Sequence, residues 1–422
     1  MTPPVVRAAR GAIVAFALAA YACRPTPVRH AVTTVQSRPD AQPPPLPPEP
    51  PRAPPRGQTL VPAPRFSEAG GHCRVGEHVV VGTSSEELSL YSVVVAANAN
   101  GALVAWPTGH DEVTARALDA EGRPRGEPHT ATLEGPRSLR IAAQPDGTFI
   151  VVSTPNCPSG SGVHDECLAA RTFGADGIAR EPLATANVGP RLPGPPWAVE
   201  SPLGTVMLFD RMLADRGTPR LVHFEPHAGG ASTITTTDIP VTLSPGERSR
   251  LGDFTVDADG HALAVIRGED GDVLFREGAP PRPAVGLPRD NRVVLGVDGA
   301  ALSVAYLDLA VALRAHVVQL DAPHAHTIID RRTARLPPAF DEVRAYVDVG
   351  MGGCLHVQRS VPVWGHLDDG VTHVWDCHDS DRPPAGRGLA WTGRGYLVAF
   401  AGHAEGRWTV RVAPVTCTGA DR

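Results

Sequence analysis

Between Leu90 and Gly135 the chain alternates short apolar runs with polar punctuation: LYSVVVAAN, the turn ANG, ALVAW, the loop PTGHDE, VTARALD, the turn AEG, and HTATLE. β-Branched and aromatic residues fill the runs, and Gly, Asn, Asp and Pro separate them. That pattern predicts four antiparallel strands joined by tight turns. The unit recurs down the chain. Its clearest column is a hairpin in which a β-prone run meets a glycine turn and returns apolar: SVVVAANANG-ALVAW, SLRIAAQPDG-TFIVV, WAVESPLG-TVMLF, DFTVDADG-HALAVI, VVLGVDG-AALSVAY, RAYVDVGMGG-CLHV and GLAWTGRG-YLVAF. The turn glycines Gly101, Gly147, Gly204, Gly260, Gly299, Gly353 and Gly395 are 39 to 57 residues apart, a spacing that suits four-stranded repeats with variable loops.

The third strand matches best between units one and two, where ARALDAEG (Ala115 to Gly122) aligns with ARTFGADG (Ala170 to Gly177). Later third strands read RLVHFE, VLFRE, RAHVVQLD, THVWD and WTVRVAP. Fourth strands are the weakest element, and unit six shows none. Unit seven ends as its third strand is complete, while EHVVVG (Glu77 to Gly82) stands as an orphan strand ahead of unit one. If the orphan supplies the missing edge of the last sheet, a ring closes and two exposed sheet edges disappear together. The expected fold class is therefore all-β, a β-propeller of seven four-stranded blades, with six blades as the alternative if unit four or six collapses into a neighbour.

From Val79 to Cys417 the repeats, such as ALVAW and VTARALDAEG, resemble those of uncharacterised propeller-like lipoproteins and secreted proteins of high-GC Gram-negative bacteria. The resemblance implies an extracellular or periplasmic propeller and brings no particular activity with it.

The N-terminal pattern differs. Arg7 and Arg10 precede an apolar run from Gly11 to Ala20, then Ala20-Tyr21-Ala22-Cys23. A charged start, a short apolar run and a small-x-small site predict a secretory signal peptide over 1–22, and the run is too short to span a bilayer as a helix. Cys23 resembles the lipidated cysteine of a bacterial lipobox, although Leu18 lies one position too far upstream and Tyr21 is bulky where a small residue is usual. Plain cleavage with release is the alternative. Residues 23–70 form a linker with PPPLPPEPPRAPPR at its centre, and proline there favours extended polyproline II geometry. At about 3.1 Å per residue such a spacer reaches roughly 100 Å. The propeller domain is then 71–419.

Composition supports this outline. The 422 residues suffice for a large core, and 44 prolines with 43 glycines argue for many turns against long helices. The net charge of −6 is spread out with no basic stripe, which excludes nucleic acid as the expected partner. Apart from histidine, every basic side chain is arginine. Lysine Schiff bases and the phosphate-cradling lysine of P-loops are thereby excluded.

Seven cysteines are present, and with Cys23 set aside for lipid the remaining six are even in number in an oxidising setting. Spacing suggests Cys157 with Cys167, Cys354 with Cys377, and Cys73 with Cys417 across the closure, although spacing does not fix connectivity. No C-x-x-C occurs.

Candidate binding residues sit in loops. His110-Asp111-Glu112 and His164-Asp165-Glu166 occupy the same inter-strand position in units one and two, and Trp375, Asp376, His378, Asp379 and Asp381 form a further polar group in unit six. Together they are candidates for a binding face. Asp119-Ala120-Glu121-Gly122 and Asp257-Ala258-Asp259-Gly260 look like fragments of calcium loops, but lack the ligand number calcium needs and suit tight turns. His324 and His326 form an H-x-H with no third ligand. No metal, cofactor or catalytic residue is expected, since no G-x-S-x-G, H-E-x-x-H or phosphate loop occurs. The favoured function is a monomeric binding module of the outer membrane or cell surface, otherwise periplasmic or secreted, held to the membrane by its N-terminal lipid. Its ligand is a protein, peptide or glycan. The alternative is a hydrolase or lyase acting on an envelope polymer at the propeller tunnel.

Overall fold

The computed structural model describes residues 65–66, 73–417 and 420–421, except 137, 145, 156–164, 181–182, 191–196, 202–203, 210–219, 227–231, 242–250, 257–260, 269–270, 285–286, 288–292, 299–300, 308–313, 321–325, 331–343, 350–353, 362–364, 367–371 and 376–381. Residues 1–22, expected to be a signal peptide, and nearly all of the expected linker 23–70 thus lie outside the described residues, as do Asp257, Asp259 and His324. Every described element is a β-strand or an irregular connection.

Among the described residues, seven antiparallel sheets of four or more strands follow one another along the chain, beside one two-stranded pair. Sheet one holds Val94–Asn98, Gly101–Gly109, Glu112–Leu118 and Pro124–Thr132. Sheet two holds Leu139–Ala143, Phe149–Ser153, Asp165–Phe173 and Ala184–Pro190. Sheet three runs from Trp197–Ser201 to Ser232–Asp238, sheet four from Leu251–Val256 to the two-residue strand Arg282–Pro283, and sheet five from Val293–Asp298 to His326–Asp330. Units four and six therefore each form a sheet of their own. In sheet six both Gly365–His366 and Thr372–Trp375 pair with the second strand, Leu355–Val361. Its third strand is split in two, and among the described residues no fourth strand follows.

Sheet seven shows the closure expected from sequence. Its own strands are Ala385–Trp391, Tyr396–Ala404 and Arg407–Cys417, and the last of these is paired on its outer edge by Val79–Ser84 and Cys73–Val75. A further pair, Arg65–Phe66 with Ala420–Asp421, carries strand pairing beyond both ends of the 71–419 span expected for the domain.

The second strand of each sheet explains how the ring holds together. A middle strand covered on both faces reads as a continuous apolar run, and Gly101–Gly109 and Tyr396–Ala404 are buried along almost their whole length. Side chains alternate faces along a strand. In Gly101–Gly109, therefore, Ala102, Val104 and Trp106 pack toward sheet seven while Leu103 and Ala105 pack toward sheet two. The division continues around the ring: Phe149 and Val151 face sheet one and Ile150 and Val152 face sheet three; Ala262, Ala264 and Ile266 face sheet three and Leu263 and Val265 face sheet five. Sheets five, six and seven share one core through Val317, Leu355, Val357, Val398 and Phe400. Outer strands have no such duty, and Pro124–Thr132 is mostly exposed. The result is an all-β propeller.

First strands contact one another toward the axis, with 385–391 against 94–98, 94–98 against 139–143, and 139–143 against 197–201. Between sheets three and four His223 Nε2 lies 2.8 Å from Glu277 Oε1. Burial raises the Glu277 carboxyl, but the His223 imidazole and the Ala262 amide outweigh it and hold the group below its ordinary value.

Trp106 locks the N-terminal strand onto this ring. It is 1% exposed, its Nε1 donates to Thr83 O at 3.2 Å, and its six-membered ring lies against Gly82, where a methyl group would overlap it. Gly82→Ala is expected to destabilise the protein by about 1–3 kcal/mol through overpacking. Urea denaturation of the variant checks this, with an unchanged midpoint counting against the lock.

Candidate functional site

Strand direction sorts the loops. In each sheet the second strand runs back toward the head of the first, so the loop between second and third strands lies at the head end and the loop after the third strand at the tail end. In sheet one Val94 pairs with Ala105, and the turn at His110 and Asp111 therefore lies at the head. Asp165 and Glu166 open the third strand of sheet two and also lie at that end. Of their side chains nothing is described, and His164 lies outside the described residues.

Trp375 is different. It ends a third strand and pairs with Leu355, the first residue of the second strand of sheet six, at the tail end. Asp376, His378, Asp379 and Asp381 lie outside the described residues. By strand direction, Trp375 lies at the tail end of its sheet and His110 and Asp111 at the head end of theirs.

His110 Nδ1 is 2.9 Å from Asp111 Oδ1, and both side chains are exposed. The His110 hydrogen bond, followed by a 3.2 Å bond from the Gly135 amide, holds the Asp111 carboxyl below its ordinary value. Glu112, the first residue of the next strand, is exposed. The Asp119 carboxylate accepts from the Glu121 and Arg123 amides at 3.0 and 2.8 Å, so that motif builds a turn, with Gly122 at a φ of 83°.

A different set of residues forms a cavity at the head end. It measures about 260 Å³ and is lined by the first strands of sheets seven, one and two: Arg387 and Leu389 on one side, Tyr91 and Val93 in the middle, Arg140 and Ile141 on the other. The turn before sheet one sets its geometry. Ser89 N donates to Ser92 Oγ at 2.8 Å and Ser92 N to Ser89 O at 3.1 Å. Carbonyls of this turn then bind both neighbouring sheets, Ser89 O accepting from Gly386 N at 3.0 Å and Tyr91 O from Leu139 N at 2.8 Å.

Tyr91 is thereby held between two cations. The guanidinium carbons of Arg140 and Arg387 lie 5.1 and 4.8 Å from its ring centroid, and Arg387 Nη2 donates to Tyr91 Oη at 2.8 Å. Glycines on either side bring Arg387 close. A methyl on Gly386, whose φ is 77°, would stand 2.5 Å from Val93 Cβ, and one on Gly388 would stand 2.9 Å from Val95 N. Burial lowers the Arg140 guanidinium from its ordinary value; Tyr91 opposes this and Arg387 adds to it. The sequence carried a signal for this site in the arginines near the heads of the first strands in units two and seven, SLRIAA and GRGLAW, but only folding brings them to one tyrosine.

No family model matches the chain, and no curated protein matches it either. Among solved structures it is similar to virginiamycin B lyase from Staphylococcus aureus, at 12% identity and a TM-score of 0.39, over 82% of this chain and 99% of that one. YCF48 bound to D1 peptide gives 10% identity and a TM-score of 0.36 over 85% and 100%. A mutant of Trypanosoma rangeli sialidase displaying trans-sialidase activity gives 12% and 0.34 over 79% and 58%. At these TM-scores the overlaps carry no argument about this chain, whose fold stands on its own sheet order.

His110→Ala removes the largest of the causes that depress Asp111, so its pKa is expected to rise toward the ordinary carboxylate value. Carboxyl-detected NMR titration reads the shift, and an unmoved Asp111 would count against the contact.

Proposed function

We propose that the protein is an exported, lipid-anchored binding module of the cell envelope, a monomeric propeller that takes a protein, peptide or glycan at the head end of its ring. The observation that carries this reading is the chemistry of the cavity. Among the described residues its lining offers two guanidinium groups, a phenol and aliphatic side chains, and neither a carboxylate nor a histidine. Hydrolysis of an envelope polymer calls on a positioned proton donor and acceptor, most often His, Asp or Glu. A lining without those groups favours binding over the hydrolase or lyase alternative.

In this reading residues 1–22 direct export, Cys23 carries the lipid, and residues 23–70 hold the ring away from the bilayer. Three disulfides stabilise the domain: Cys73 with Cys417, Cys157 with Cys167, and Cys354 with Cys377. Support for the first comes from register, since Cys73 and Cys417 are directly opposite in their strands, and such pairs have Cα separations within the range a disulfide spans. Cys157 and Cys377 lie outside the described residues.

Cell fractionation with crosslinking compares the native protein with Cys23→Ala. The native form is expected in the membrane fraction with a crosslinked envelope partner, and the variant in the soluble fraction. Equal soluble distribution with no partner in either form would sink the reading. Non-reducing mass spectrometry should find Cys73 joined to Cys417, and free thiols at both would remove that bond.

A further inference from the structure

Tyr91 and Arg387 line the cavity together, and the hydroxyl that joins them has a hydrogen to spare. Arg387 Nη2 donates to Tyr91 Oη at 2.8 Å, and a phenol both accepts and donates. Among the described residues nothing accepts from that hydroxyl, which leaves its O–H for a ligand. Accepting from a cation also polarises the hydroxyl and strengthens any bond it donates. Arg140 is engaged with its own strand, its Nη1 donating to Leu139 O at 3.0 Å.

The polarity of the lining has one sign. Among the described residues its polar side chains are Tyr91, Arg140 and Arg387, while the turn carbonyls of Ser89 and Tyr91 are taken by Gly386 N and Leu139 N. Positive groups and a spare O–H complement the negative end of a carbonyl dipole. Leu90, Val93, Ile141 and Leu389 supply an aliphatic wall beside them.

An ordinary peptide segment brings an N–H with every carbonyl, and a buried N–H without an acceptor is costly. A prolyl segment brings carbonyls without N–H groups, an apolar ring, and an extended geometry set before binding. A glycan brings donor hydroxyls, which the side chains of this lining leave unmatched. The volume of about 260 Å³ lies at or below the small end of ligand pockets and suits one or two residues of a peptide.

Resting on the reading of the protein as a binding module, we propose that this cavity takes a proline-containing segment of a peptide chain, one carbonyl accepting from Tyr91 Oη and the pyrrolidine rings against Leu90, Val93, Ile141 and Leu389. Arg387 acts as a positioning residue that fixes the hydroxyl.

Calorimetric titration of the full chain tests this with acetyl-Leu-Pro-Pro carboxamide, acetyl-Leu-Ala-Ala carboxamide, glucuronic acid and inorganic phosphate. The prolyl peptide is expected to bind at least about threefold more tightly than the alanyl one, because it loses less conformational freedom. Tyr91→Phe keeps the ring and removes the O–H, and should weaken the prolyl peptide about fivefold. Leu90→Ser, at a side chain 37% exposed, should weaken it as well with a melting temperature near the native value, and carries the test if Tyr91→Phe does not fold. Equal binding of the two peptides, or prolyl-peptide binding unchanged in either variant, would overturn the proposal. Tighter binding of glucuronic acid would overturn it in favour of a glycan, and of phosphate in favour of a free anion. An envelope partner captured equally well by native protein and Leu90→Ser removes only the cavity's ligand and leaves the binding-module reading standing. Absence of any partner removes that reading itself.

Discussion

The constraint on which this molecule depends is that one strand must serve two cores. A strand at the middle of a propeller sheet has neighbours on both faces, and its period of two sends alternate residues to each. Trp106 and Leu103 belong to the same strand yet pack in different clusters, on opposite sides of sheet one. Every sheet is thus joined to the next by buried apolar surface, and no sheet has a core of its own. A ring of this kind is stable only when closed, because an open one would leave an apolar face uncovered and a sheet edge unpaired.

Closure accordingly draws on both ends of the described domain. Val79–Ser84 completes the edge of sheet seven, and Trp106 from sheet one seals that strand by lying against Gly82 and bonding Thr83 O. The contact couples the first residues of the ring to the last through a side chain that belongs to neither. Closure also brings sheets seven, one and two together on one axis, and the cavity forms at their heads. Arg140 and Arg387 are separated by more than half the chain, yet both reach Tyr91 because the turn at 89–92 is hydrogen-bonded to the sheets that carry them.

The site shows how rigid placement substitutes for a motif. Nothing around Tyr91 reads as a signature, since tyrosine, arginine and glycine at these spacings are ordinary. What makes the place unusual is that two cations, Arg140 half-buried and Arg387 exposed, are brought to one ring by elements whose positions are fixed elsewhere. The glycines flanking Arg387 allow a close approach of two first strands that a β-carbon would block.

Much of the architecture was legible in the sequence because strand structure is local. The alternation of apolar runs with glycine turns marked the repeats, the orphan EHVVVG foretold the closing strand, and Cys73 and Cys417 fell opposite each other as their positions suggested. Turn chemistry was equally local, as the Asp119 carboxylate shows by bonding its own loop. Composition could not tell which end of the ring a polar loop occupies. His110 and Trp375 both sit beside acidic residues, but one follows a second strand and the other ends a third, so direction of travel puts them at opposite ends. The convergence of Tyr91, Arg140 and Arg387 was likewise decided only by tertiary structure, because it arises from three sheets meeting at an axis and from no pattern within any one of them.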